Sequence, residues 1–251
     1  MLTKNEIKDI HSLKLKKNRK QSGEFVAEGV KLILDLLQSG MEAKKIFTTE
    51  TSLFDEYRDI ELVEITQKEL SRLSNQNNPN KAIALFSIPT NTFSEKTIET
   101  EWILALDGIN DPGNLGTIIR TADWFGFKHI LCSSDCVDAY NPKVVQSSMG
   151  SLARVQLHYI ELQEKLLAFA QKTKILGSFM EGETIEKYAF PKSGILIIGN
   201  EANGIRDEIT SIVHKKICIP SSSLAQNQAE SLNAAVATAI FCYKIKESIS
   251  S

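Results

Sequence analysis

Apolar and polar positions divide the chain into two stretches with different rhythms. Up to about residue 88 the segments are short and periodic. Residues 29–37 repeat apolar side chains at helical spacing and end at Ser39-Gly40, where a glycine suits a helix C-terminus. Residues 44–49 and 59–65 read as strands, and Thr66-Gln67-Lys68-Glu69 is a capping box opening another helix. Residues 81–88 form a third strand, completing a small α/β module. A polar, turn-rich stretch at 89–100 follows and reads as a linker, which places the two domains at 1–92 and 100–251. Beyond it, the apolar runs at 102–106, 129–132, 175–176, 194–198 and 217–219 are continuous rather than alternating. Strands covered on both faces of a parallel sheet have that pattern. Helices are expected between them at 116–125, 141–149, 162–172 and 205–215. A last helix at about 230–247 aligns Leu232, Val236, Ala239, Ile240 and Tyr243 on one stripe. Alternating β and α elements predict an α/β fold with its site at the carboxyl ends of the strands.

Composition narrows the class. The 251 residues are 42% hydrophobic and 24% charged, with a formal net charge of −2, as expected of a folded, water-soluble chain rather than a disordered one. No apolar run approaches the roughly 20 residues that cross a bilayer, and the charged first residues do not resemble a secretory signal. Four cysteines without a Cys-x-x-Cys pair suggest neither a disulfide scaffold nor zinc. A reduced, cytoplasmic protein with no membrane partner and no metal is the expectation. The balanced charge excludes a globally basic nucleic-acid binder but leaves room for a local patch. Lys14, Lys16, Lys17, Arg19 and Lys20 place five cations in seven residues without an acid. They read either as a solvated helix face or as an RNA-contacting patch.

Three segments of the second half run from an apolar strand into a loop of Gly, Asn and charged residues. The first, residues 106–122, contains Asp111-Pro112-Gly113-Asn114 and then Arg120. It reads as a turn and a helix, with Arg120 either facing water or placed to meet a phosphate. Its glycines do not fit G-x-G-x-x-G, which disfavours a dinucleotide cofactor and an oxidoreductase. The second is Gly199-Asn200-Glu201-Ala202-Asn203-Gly204. Here Gly199 permits close approach of a backbone or ligand, and Glu201 lies beyond a strand end or caps a following helix. The third runs from Ile219-Pro220 to Glu230-Ser231-Leu232-Asn233 and reads equally well as a loop and N-cap before a core helix.

Taken in order, these segments resemble the three motifs of the SpoU-type (TrmH-like) RNA 2′-O-ribose methyltransferases of the SPOUT superfamily. Asn114-x-Gly116-x-x-x-Arg120-Thr121-Ala122 is similar to the first, Gly199-Asn200-Glu201-x-x-Gly204 to the second, and Ile219-Pro220 with Glu230-Ser231-Leu232-Asn233 to the third. The resemblance spans about 102–243. It departs at Ser221-Ser222-Ser223, in a loop longer than usual, where a methionine-glycine pattern is common. Residues 24–29 resemble, more loosely, the L30e-like substrate-binding domain often fused to this enzyme. The resemblance implies a parallel-sheet SPOUT domain with a deep trefoil knot, S-adenosyl-L-methionine as cofactor, an RNA substrate and a homodimer with active sites at its interface. By motif position Gly199, Ile219 and Leu232 would hold the cofactor. Arg120 would carry the chemistry, with Asn114, Glu201, Ser231 and Asn233 orienting the groups around it. Guanidinium groups hold their protons strongly, so phosphate anchoring and oxyanion stabilisation fit this arginine better than proton abstraction. Ribosomal RNA is the expected substrate. Transfer RNA, and a non-catalytic RNA-binding or ribosome-assembly role on the same scaffold, are the alternatives.

Overall fold

The computed structural model describes residues 2–222 and 231–250. Its elements begin with α1 (Lys4–Ser12), α2 (Lys16–Ser22), β1 (Glu24–Glu28), α3 (Val30–Gln38), β2 (Ala43–Thr48), β3 (Glu61–Glu64), α4 (Gln67–Leu73) and β4 (Ala82–Ser87). They continue with β5 (Trp102–Asp107), α5 (Pro112–Phe125), β6 (His129–Ser133), α6 (Pro142–Ser148), β7 (Gln156–Ile160), α7 (Leu162–Phe169), β8 (Ile175–Phe179), β9 (Glu183–Thr184), β10 (Gly194–Gly199), α8 (Asp207–Thr210), β11 (Lys215–Cys218) and α9 (Ala234–Ser250). Two compact units result: residues 1–90 with 138–154, and residues 91–137 with 155–251.

The first unit has a four-stranded sheet in the order β1-β4-β2-β3, antiparallel except for the parallel pair β2/β3. Thr66 caps α4 with the reciprocal bonds expected, its hydroxyl accepting from the Glu69 N–H while the Glu69 carboxylate accepts from the Thr66 N–H. Ile10, Leu13, Val26, Phe47, Ile65, Leu70, Leu73 and Ile83 form one buried cluster. The segment 138–154, which follows β6 in sequence, belongs to this unit and brings α6 onto β1.

The second unit is a seven-stranded, all-parallel sheet in the order β7-β6-β5-β10-β8-β11-β9. All six residues of β5 are buried, as are the first five of β10, which is why their apolar runs do not alternate. Ile103, Ala105, Leu131, Leu166, Phe169, Ile195 and Ile197 share its core. From β5 the chain first moves outward to β6 and β7, then returns to the other side through β8 and β10. The strand order therefore reverses between β5 and β10, and ligands of open α/β sheets bind beyond the strand ends at such a point.

Three expectations change. The Asp-Pro-Gly-Asn stretch is not a separate turn: Asp111 caps α5, its carboxylate accepting from the Asn114 N–H at 2.8 Å, and Pro112 is the first helical residue. The expected helix at 205–215 is reduced to the single turn of α8, and its end becomes β11. Arg19 is 2% exposed rather than solvated. Among the described residues, no helix is long and apolar enough to cross a membrane.

Candidate active site

The three loop motifs converge on Asn114. This residue lies in the first turn of α5, just beyond the C-terminal end of β5, and its Nδ2 donates to Glu201 Oε1 in a short hydrogen bond. Its Oδ1 accepts from Asn233 Nδ2 at 2.9 Å. One amide therefore ties the loop after β5 to the loop after β10 and to the start of α9. Asn233 also caps α9, its Oδ1 accepting from the N–H groups of Ala235 (3.0 Å) and Val236 (3.3 Å). An asparagine can do both because its carbonyl and its amino group face different partners. Glu201 does not cap α8, whose N-cap position is Arg206.

The loop between β10 and α8 is braced by residues to which the sequence reading assigned no role. Asn200 and Gly204 exchange backbone hydrogen bonds (3.1 and 2.8 Å), and Asn200 Nδ2 donates to the Gly108 carbonyl at 2.8 Å. Asn200 Oδ1 accepts from the Ala202 N–H at 2.9 Å. A Cβ on Gly199 would lie 2.3 Å from the Gly204 carbonyl carbon, so the close approach this glycine permits is that of the loop's own backbone. Asp107, 1% exposed at the end of β5, accepts from Arg206 through the backbone N–H (2.8 Å) and Nε (2.7 Å). The pairing raises the Arg206 guanidinium pKa above its usual range and satisfies a carboxylate that would be costly to bury alone. On β6, Ser133 Oγ accepts from the Gly108 N–H at 2.9 Å and donates to Asp135. That hydrogen bond, with help from the charge of Arg206, holds the Asp135 carboxyl below its usual pKa. An acid closing a wholly apolar strand, as Asp107 does, and an arginine just past the Gly204 turn were the legible signals for this pair.

The remaining predicted residues stand apart from this network. Arg120 is exposed on α5, and its side chain makes no ion pair or hydrogen bond among the described residues. It lies six residues after Asn114, about 9 Å along the axis and roughly a third of a turn round from it. It shares its face with Thr117 and with Trp124, which is 84% exposed. Leu232 is 46% exposed and Ser231 is exposed, both immediately before Asn233, and Ile219 is half-buried just past β11. Glu230 and the loop residues 223–229 lie outside the described residues. In the first unit Lys14, Lys16, Lys17 and Lys20 are exposed, whereas Arg19 is turned inward.

A parallel sheet with hydrogen-bonded loops gathered at its topological switch point defines the class of α/β proteins that bind ligands beyond the carboxyl ends of their strands, here those of β5 and β10. Comparison with known proteins specifies which. The SpoU rRNA Methylase family matches residues 101–243, and the MRM3-like substrate binding domain matches residues 4–84. The chain belongs to the SpoU rRNA methylase family. It is 29% identical over 249 residues to the 23S rRNA (guanosine(2553)-2′-O)-methyltransferase RlmP of Bacillus subtilis, covering 96% of each chain. A Porphyromonas gingivalis structure assigned to the TrmH family of RNA methyltransferases superposes with a TM-score of 0.88 at 35% identity, covering 98% of this chain and 99% of that one. An AdoMet-bound rRNA methyltransferase from Sinorhizobium meliloti gives 0.85 at 27%, covering 98% and 96%.

Proposed function

We propose that the protein transfers the methyl group of S-adenosyl-L-methionine to a ribose 2′-hydroxyl of large-subunit (23S) ribosomal RNA. The observation that carries this reading is the junction at Asn114, where the three motif loops are hydrogen-bonded to one another at the switch point. The surroundings fit the cofactor. Leu232 and Ile219 leave apolar surface uncovered near the carboxyl ends of the strands, as the adenosine of the cofactor requires, and Gly199 joins them by motif position. Bound there, the cofactor supplies a methyl group that is already electrophilic. What the protein must add is alignment, stabilisation of charge on the sugar oxygen and a path by which the hydroxyl proton passes to solvent water. Asn114, fixed by Glu201 and Asn233, orients the ribose, Ser231 adds a hydroxyl beside it, and the guanidinium of Arg120 anchors phosphate and stabilises the developing oxyanion.

Arg120 and Asn114 point to different sides of α5, so we place the arginine at a homodimer interface, where it serves the cleft of the second copy. The exposed Trp124 on the same face, and Val236 and Tyr243 exposed on α9, support this arrangement, since large uncovered aromatic and aliphatic groups mark association surfaces. We assign residues 1–92 to RNA binding and 100–251 to methyl transfer, a cytoplasmic location in keeping with four free, buried cysteines, and the trefoil knot of the SPOUT domain. Purified protein given labelled cofactor and 23S rRNA is expected to yield 2′-O-methylation at one ribose position. Methylation only of bases, or of transfer RNA in preference to ribosomal RNA, would overturn the assignment.

The lysines of α2 and the turn before it support RNA binding, because neutralised phosphates supply most nucleic-acid affinity. Reversing Lys16, Lys17 and Lys20 to Glu should weaken RNA binding and flatten the dependence of log K on log salt by about 2 units, at about 0.7 per lost phosphate contact. Binding titrations between low and physiological salt measure this, and an unchanged slope would return these lysines to a merely solvated role.

A further inference from the structure

The first unit contains a cleft of about 430 Å³ that no motif accounts for. Its floor is apolar, formed by Val26 of β1 with Pro142 and Val145 of α6. Its rim carries Lys14 and Lys143, both exposed. Within it, Gln76 Nε2 donates to Gln146 Oε1 at 3.1 Å. That bond leaves the Gln146 amino group and the Gln76 carbonyl without partners among the described residues, a donor and an acceptor side by side. The turn that presents Gln76 is held by Glu28, which is 7% exposed. Its carboxylate accepts from Asn75 N–H (3.0 Å), from Asn75 Nδ2 (2.9 Å) and from the Ser74 hydroxyl.

We propose that this cleft binds one unpaired nucleobase of the substrate RNA, splayed out of its helix. A flat heterocycle fits an apolar floor. The donor-acceptor pair of Gln76 and Gln146 matches the alternating edge of a base. The buried carboxylate of Glu28 repels phosphate from the interior, while Lys14 and Lys143 at the rim suit the phosphates on either side. A neutral base inside and charged backbone outside is the arrangement this distribution favours. The inference rests on the reading of the protein as an RNA methyltransferase and assigns part of its substrate selection to the first unit.

An abasic scan of a 23S rRNA fragment, bound to the full-length protein, tests it. One position should exist where removing the base weakens wild-type binding about 10-fold. The Gln76→Ala/Gln146→Ala protein should bind the intact fragment about 10-fold more weakly, with an unchanged salt slope and melting temperature, and should be indifferent to the base at that position. A double variant that still responds to every abasic position as wild type does would overturn the cleft assignment while leaving the methyltransferase reading intact. The single Gln146→Ala protein, altered at an exposed position, gives the same comparison if the double variant melts early. Failure of the wild-type protein to bind the fragment at all would overturn both.

Discussion

Replacement of Arg120 by Ala should lower methyl transfer to RNA about 10²–10³-fold while cofactor affinity stays within about 2-fold. Two facts motivate the separation. Arg120 takes no part in the hydrogen-bond network of Asn114, Glu201 and Asn233, so its removal leaves that network intact. It is also exposed and unpaired among the described residues, so no packing or ion pair within the fold is lost. What disappears is a cation available to a phosphate and to a developing alkoxide, a loss of transition-state stabilisation of about 3–4 kcal/mol. Arg120→Lys should recover only part of the rate, because an ammonium supplies the charge without the bidentate fork. Single-turnover methylation and equilibrium cofactor binding measure the two effects separately. Normal turnover by the alanine variant would remove Arg120 from the chemistry. Mixed dimers of Arg120→Ala and Asn114→Ala chains add a test of the interface placement. If the arginine serves the second copy, a mixed dimer has one cleft carrying both defects and one carrying neither, and should regain up to half of the wild-type activity. Each homodimer alone stays inactive.

Much of this arrangement is legible in the amino-acid sequence, for reasons particular residues make clear. Continuous burial in β5 and β10 follows from a sheet covered on both faces, and their apolar runs state it directly. The loops at their ends were legible because strand termini there release Gly and Asn into positions facing the crevice. The bracing was less legible. Asp107 and Arg206 are 99 residues apart in sequence, and only the parallel register that sets Asp107 beside Gly199 brings them together. The weakest readings were those where local composition was overruled by packing. Residues 205–215 read as one helix, yet only Asp207–Thr210 are helical, and Lys215 at the end of the stretch already begins β11, for which β8 offers a backbone partner. The five-cation cluster shows the same limit. Charge density alone says nothing of which side chain turns inward, and Arg19 does so because a carboxylate from residue 138 and two backbone carbonyls await it.

That inward turn yields the second large effect, and it concerns stability rather than catalysis. Arg19 Nη1 donates to the carbonyls of Leu13 (2.6 Å) and Lys14 (2.9 Å), and Nε donates to Asp138 Oδ2 at 2.9 Å. The guanidinium therefore closes the turn between α1 and α2 and secures the segment 138–154 to the first unit. Arg19→Met keeps most of the aliphatic stem but leaves a largely buried carboxylate without its cation and two carbonyls without their side-chain donor, and such losses cost about 3–5 kcal/mol. Denaturant unfolding of the full chain followed by circular dichroism should show that loss, whereas Lys17→Met, at an exposed neighbour, should lie within about 0.5 kcal/mol of wild type. Adding Asp138→Asn to Arg19→Met should restore part of the lost stability, since it removes the uncompensated charge. RNA affinity separates the two kinds of cation in this cluster. Under conditions where both variants are folded, Lys17→Met should weaken RNA binding and Arg19→Met should not. A destabilisation of less than about 1 kcal/mol in Arg19→Met, with RNA affinity lost instead, would mean that this arginine faces the nucleic acid after all.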